Sequence, residues 1–415
     1  MKTWKHALTR LGALSAIGTA ILLAGCGGGG SSTATSNNPG FTSMVVFGDS
    51  LSDVGTYRVG LVAAIGGGTS TVNSPTSRLW TDAIAAQYNL PKPCAAQTGL
   101  LSILPGITAV PVQNFAACTN YAQGSARVTN PAGPRSFALQ QGVIAAIKAG
   151  GGTDAQAAQA AIGADAGIGL MALPIVNQMA NHLTAAGGSY SGKELVTVLA
   201  GANDTFLNST GVSDAAAGGA GAVGAARFAG WPAGVQASVA AGGAAATGAA
   251  QQAAVAGMAQ AANELIAAIN AQVLGKGAKY VVVVNLPDVS QTPLTAPYDP
   301  ATRGFVNLLV TTFNSTLNAG LAGKPGVVLV DAYTQSRDQF ANPSQYGLSN
   351  VTTPVCSKTS PANPLAGASL GCTAASLIAG DNSRHFFADD VHPTPYAHQL
   401  LAQFVAKSLA VAGWL

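Results

Sequence analysis

From Phe41 onward, short unbroken apolar runs alternate with longer stretches whose apolar residues recur at helical spacing. The runs Ser43–Phe47, Gln113–Tyr121, Leu195–Ala200, Tyr280–Asn285 and Val327–Asp331 are the candidate strands. Near-continuous β-branched runs such as the valines at 281–284 mark strands buried on both faces, the habit of parallel sheets. Between them, the spacing predicts helices over Leu170–Ala185, Ala253–Leu274 and Gly304–Leu321. Leu400, Leu401, Phe404, Val405 and Leu409 form an apolar stripe on a closing helix, Pro395–Ala412. Strands alternating with helices predict an α/β fold, a three-layer α/β/α sandwich around a five-stranded parallel sheet.

Two segments break this pattern. At the start, Lys2, Lys5 and Arg10 precede an apolar run, Leu11–Ala24. A bilayer span needs about 20 apolar residues, so the run reads as the core of a signal peptide. It ends in Leu22-Leu23-Ala24-Gly25-Cys26, which resembles the lipobox of bacterial lipoproteins. That resemblance implies removal of residues 1–25, lipid on Cys26, and a membrane partner reached through this anchor. Gly27 after it implies sorting to an outer membrane in a Gram-negative host, and residues 27–40, rich in Gly, Ser, Thr and Asn, read as a tether. The second break is a Gly/Ala-rich insertion at about 209–251, densest from Ala215 to Ala250, with Phe228 and Trp231 as its aromatics. Gly costs about 1 kcal/mol per helix position, so one rigid helix is not expected there. A helical insertion with frayed glycine ends is favoured over a mobile lid. Residues 41–415 otherwise read as a single domain.

Composition narrows the possibilities. Lys and Arg number 19 against 16 Asp and Glu, and removal of the leader takes three basic residues and no acid. The remaining chain is near neutral and carries no basic stripe, which argues against a nucleic-acid partner. With 48% hydrophobic and 8% charged residues, the chain suits a compact fold and not a disordered one. Besides Cys26 there are Cys94, Cys118, Cys356 and Cys372, an even number suited to an oxidising compartment. Four cysteines allow three connectivities. The sequence-local pairs Cys94–Cys118 and Cys356–Cys372 are favoured, each contributing roughly 3 kcal/mol by the chain-entropy argument. Without CxxC or paired histidines, a metal site is set aside.

The chemistry gathers in four short blocks. Phe47-Gly48-Asp49-Ser50-Leu51-Ser52-Asp53 follows the first candidate strand, and Asn120-Tyr121-Ala122-Gln123-Gly124-Ser125-Ala126 the second. Gly201-Ala202-Asn203-Asp204 follows the third, and Asp389-Asp390-Val391-His392 precedes the last helix. Ligands of open α/β sheets bind outside the carboxyl ends of the strands, so a Ser, a Gly and an Asn are expected on one rim. In order and spacing these blocks resemble the GDSL esterases and lipases of the SGNH hydrolase superfamily, from about residue 41 to the end. Asn285-Leu286-Pro287-Asp288-Val289 also resembles a segment of bacterial members. The resemblance implies a flavodoxin-like strand order and hydrolysis of carboxylic acyl esters or lipids without a cofactor. It implies Ser50 as nucleophile, His392 as base and Asp389 as acid, with an oxyanion hole from Ser50, Gly124 and Asn203.

Those residue types suit the reaction. A serine hydroxyl needs an adjacent base, and a carboxylate three residues before the histidine can orient its ring. Asp390 is an alternative acid. Asp49, Asp53 and Asp204 are read as braces of their loops, and His182, His385 and His398 as ordinary core or surface residues. Phe206 suits either an acyl pocket or the core. Gly367-Ala368-Ser369-Leu370-Gly371 matches a GxSxG elbow but lies in a Pro/Ser/Ala loop, and Gly219–Gly224 matches GxGxxG within a Gly/Ala tract. An acyltransferase or lysophospholipase at the same site, or a non-catalytic binding lipoprotein, are the rival readings. Oligomeric state leaves no trace in the sequence.

Overall fold

The computed structural model describes residues 39–100, 108–134, 147–153 and 172–415, together with Ala145 and Gln156. The leader, Cys26 and the tether lie outside the described residues. The strands are β1 (Ser43–Gly48), β2 (Gln97–Leu100), β3 (Val110–Asn114), β4 (Glu194–Leu199), β5 (Tyr280–Val284) and β6 (Val327–Val330). The helices are α1 (Gly60–Ala64), α2 (Trp80–Gln87), α3 (Ile175–Ala185), α4 (Ala202–Ala215), α5 (Gly219–Ala229), α6 (Ala233–Ala241), α7 (Gly243–Ala268), α8 (Pro300–Leu321), α9 (Ala332–Ala341) and α10 (Pro395–Val411).

The four apolar runs β1, β4, β5 and β6 form one parallel sheet in the order β1-β4-β5-β6. Their side chains alternate between two cores, as the two-residue period of a strand requires. Val45, Phe47, Val196, Val198, Val281 and Val283 face one side, where α3 to α8 supply Met179, Met258, Leu265 and Phe313. Met44, Val46, Leu195, Leu199, Val282 and Val284 face the other, against Trp80 and Ile84 of α2 and Val405 and Leu409 of α10. This is the expected three-layer α/β/α sandwich.

The sheet has four strands, not five. The fifth, expected at Gln113–Tyr121, is reduced to one parallel bridge between Val46 and Asn120 beside β1. The start of that segment is drawn away into the antiparallel β2–β3 hairpin, which the Cys94–Cys118 disulfide ties to the Asn120 strip. Around that bridge Val46 N–H donates to Thr119 O, and Tyr121 and Gln123 N–H donate to the carbonyls of Val46 and Gly48, but the Gly48 N–H is diverted to Gln178 Oε1 at 2.9 Å. With the Asn120 strip in the fifth position, the order is the flavodoxin-like one.

The Gly/Ala tract forms helices α5 and α6 and the start of α7, broken at Gly218, Gly230 and Gly242, all with positive φ. Ala222, Ala226, Trp231 and Val239 bury into the larger core, and Trp231 Nε1 donates to Asn208 Oδ1 of α4 at 2.7 Å. The tract is a packed helical layer, and none of the residues lining the cavity described below comes from 215–250.

Candidate active site

β1 ends in the turn Asp49–Asp53, which is built from its own side chains. Asp49 Oδ1 accepts the Leu51 N–H at 3.1 Å, and Ser52 N–H donates to Asp49 O at 3.1 Å. Asp53 Oδ1 accepts from Gly55 and Thr56, and its Oδ2 accepts the Gly124 N–H at 2.9 Å. Asn120 Nδ2 and Trp80 Nε1 reach Ser52 from the neighbouring segments. The acids of this turn therefore brace it, and Ser50 is left half-buried at its tip.

At the opposite wall, Asp389–His392 forms a tight loop. Asp389 Oδ1 accepts the N–H groups of Val391 and His392 at 3.0 and 2.8 Å, and Ala388 N–H donates to His392 O. Thr394 then caps α10 through the Ala397 N–H, with Pro395 in its first turn. The ring of His392 is held between two partners. Its Nδ1 lies 2.8 and 2.9 Å from the Asp389 carboxylate oxygens, and its Nε2 lies 2.9 Å from Ser50 Oγ. With a carboxylate at Nδ1, the proton of the neutral ring belongs there, and Nε2 is free to accept from the hydroxyl.

The electrostatics of the two walls differ. Burial would raise the Asp389 carboxyl, but the charge and hydrogen bond of His392, with Ser369 and Val391, outweigh it and hold the group well below the usual carboxylate range. For Asp49 burial prevails: it pushes the carboxyl up to about 7, opposed only in part by the Leu51 N–H and by the charge of His392. Its Oδ2 is buried without a hydrogen-bond partner among the described residues. Asp390 points away from His392 and pairs with Lys358 Nζ at 2.7 Å.

Asn203 opens α4, behind Gly201, whose φ of +114° and close approach to the Phe313 ring leave no room for a side chain. Asn203 Nδ2 donates one hydrogen to Ala126 O at 2.8 Å, and an amide carries two. Asp204 anchors the second block: it accepts from Arg127 Nε at 2.8 Å and from Val128 N–H at 3.1 Å. Gly124 sits differently from Asn203. Its N–H is committed to Asp53 and its carbonyl accepts from Tyr57 OH at 2.7 Å, while the adjoining Ser125, at φ +76°, lines the cavity.

Ser50, Asn203, Asp389 and His392 all line one cavity of 530 Å³. Its remaining wall is strongly apolar, with Phe206, Val289, Leu294, Phe340, Phe386 and Phe387. Asp288, from the Asn-Leu-Pro-Asp-Val segment, shapes that wall through Ser290, Gln291, Asn307 and Arg337. Two residues outside the four blocks support the site from behind. Ser369 gives its backbone N–H to Asp389 Oδ2 at 2.8 Å, and Asn73 holds the segment that carries Ser369. Ser369 is not at an elbow: it starts a single 3-10 turn and its hydroxyl is buried. Gly219–Gly224 is the start of helix α5, preceded by a helix and not a strand. His182 is buried against Phe47, Tyr121 and Tyr190, and His398 is a buried residue of α10. Both predicted disulfides, Cys94–Cys118 and Cys356–Cys372, are present.

Comparison with known sequences agrees with this layout. A GDSL esterase/lipase of Arabidopsis thaliana is 35% identical over 79 residues, which is 19% of this chain and 20% of the plant protein. The chain thus matches only about a fifth of that relative's length. The sequence profile of the GDSL-like Lipase/Acylhydrolase family matches residues 44–405, all four blocks included, and the chain belongs to that family.

Proposed function

We propose that the protein is a serine carboxylic-ester hydrolase that works through an acyl-Ser50 intermediate. The observation that carries this reading is the unbroken series Ser50 Oγ, His392 ring, Asp389 carboxylate, at 2.9 and 2.8 Å, on the wall of an apolar cavity. His392 Nε2 takes the Ser50 proton as Oγ attacks the ester carbonyl, and Asp389 stabilises the imidazolium formed. The tetrahedral oxyanion is met by the Ser50 N–H and by the second hydrogen of Asn203 Nδ2. Gly124 of the second block, the third expected donor, joins only by releasing Asp53. His392 then returns its proton to the leaving alcohol, and water repeats the sequence to free the acid. The apolar cavity suits the acyl part of the substrate, and the lipobox sequence supports a lipid-anchored envelope location.

The test is labelling with a fluorophosphonate probe beside a p-nitrophenyl ester series. Wild type should label and turn over esters, and Ser50→Ala should do neither while melting normally. Labelling or turnover that survives Ser50→Ala would remove the reading.

A further inference from the structure

The base and its carboxylate stand beside a loop, residues 357–371, that the Cys356–Cys372 disulfide closes. This loop does three things at the site. Ser369 donates its N–H to Asp389 Oδ2 at 2.8 Å, Lys358 holds the adjacent Asp390 at 2.7 Å, and Lys358, Gly367 and Ala368 line the cavity. At its start, Val355 and Cys356 N–H groups donate to the carbonyls of Phe387 and Ala388, directly ahead of Asp389.

What fixes the loop from behind is Asn73, which is 5% exposed. Its Nδ2 lies 3.0 Å from Ser369 O and 3.1 Å from Cys372 O, and its backbone N–H donates to Cys372 O at 2.8 Å. Its Oδ1 accepts from the N–H and hydroxyl of Thr69 at 2.9 and 2.7 Å, so the clamp is itself held in place. The same strip, 69–73, reaches the base loop a second time: Thr71 Oγ1 donates to Pro393 O at 2.9 Å, next to His392. Gly68 N–H adds a bond to Leu370 O. One buried amide thus holds the carbonyl of the residue, Ser369, whose N–H points at the carboxylate of the relay, while Asn363 Nδ2 holds the preceding carbonyl, Ala368 O, at 3.0 Å.

We propose that Asn73 is a positioning residue for the catalytic acid, acting through the disulfide-closed loop whose Ser369 N–H orients Asp389. This rests on the reading of Asp389 as the acid of the relay. An Asp that can swing loses its aim at Nδ1, and His392 becomes both a weaker and a less well oriented base.

The experiment compares Asn73→Ala with wild type on an acetyl ester, whose short chain does not sample the rest of the cavity. Expected are a 10- to 100-fold lower kcat, a KM within about two-fold, and an acid limb of kcat/KM displaced to lower pH. The downfield proton resonance of the His392 Nδ1–H should weaken or shift. A folded Asn73→Ala protein with wild-type kcat, pH profile and proton resonance would overturn the proposal. Should that variant fail to fold, Cys356→Ser/Cys372→Ser, which frees the same loop without touching Asn73, is read the same way. Unchanged values there would equally overturn it. Asp389→Asn run in parallel separates the two levels: if it leaves kcat unaltered, the reading of the acid has failed and not only that of its support.

Discussion

Ser50 follows β1, a buried strand of the parallel sheet, whereas His392 and Asp389 stand on a loop outside it. The strand side is fixed by the main core. Gly48 is gripped by Gln178, Ser52 by Asn120 and Trp80, and Asp49, Ser52 and Asp53 are all but fully buried. The loop side borrows its rigidity from other loops: 355–356, the Cys356–Cys372 segment, and the strip at 69–73. The carboxylates differ in the same way. Asp389 is surrounded by groups that favour its charge, and Asp49 by burial that opposes it. The nucleophile's position is therefore as secure as the fold. That of the base depends on cross-links that can be cut without unfolding the sheet.

The largest effect expected from this contrast is at the acid. Asp389→Asn preserves shape but removes the charge and favours the wrong tautomer of His392, and kcat should fall by about 10⁴-fold. Steady-state kinetics on a folded variant would check it; a loss under ten-fold would mean that His392 works without its carboxylate. On the strand side, Asn203→Ala removes one of the proposed oxyanion donors and should lower kcat by about 10² to 10³-fold with little change in KM. The hydrogen bond to Ala126 is lost as well, so a melt is measured beside the kinetics. A KM that rises while kcat holds would place Asn203 in substrate binding instead. The Asn73 effect, 10- to 100-fold, ranks below both because it acts at one remove.

The same contrast decides what could be read from the sequence. β1, β4, β5 and β6 were legible because each is a near-continuous apolar run, and a parallel strand buried on both faces has no polar alternation to hide it. The fifth strand misled because its pairing is decided by a glutamine side chain and a disulfide from elsewhere in the chain. Helices α5 and α6 were legible only as a helical Gly/Ala tract, because Ala on every face leaves no amphipathic stripe to place them, whereas the second half of α7 falls in the helix expected over Ala253–Leu274. Ser50, His392, Asp389 and Asn203 sit in motifs, and the structure brings them to one cavity. Gly124 was expected as an oxyanion donor from its block, but the bond of its N–H to Asp53 is a tertiary fact. Asn73 lies in a Gly/Ser/Thr-rich strip with no motif, and what Ser369 supplies is a backbone N–H that every residue but proline carries. Neither contribution has a side-chain signature to find.

The smallest effect expected is on stability, and it sets the two buried carboxylates against each other. Burial lifts Asp49 to about 7, while in an unfolded chain it titrates near 4, so between these values the folded protein keeps a proton that the unfolded chain has released. Its stabilising contribution is complete below pH 4 and is lost as pH rises through 7. Asp389 has the opposite sign: its contribution is present above the ordinary carboxylate range and is lost as pH falls below it. His398 adds to the acid loss. Buried, and repelled by His392, it is held down to about 3, so between about 6.5 and 3 the unfolded chain takes up a proton that the folded one refuses. Asp49→Asn should remove only the term that falls with pH. Urea melts from pH 4 to 8 should then show the variant gaining on wild type as pH rises, by on the order of 1–3 kcal/mol. That is less than the ~5 kcal/mol of barrier that a 10⁴-fold rate loss represents. Parallel curves for the two proteins would mean that Asp49 is ionised in the folded state across this range. The nucleophile turn would then hold a buried negative charge, and the electrostatic difference between the two walls of the site would disappear.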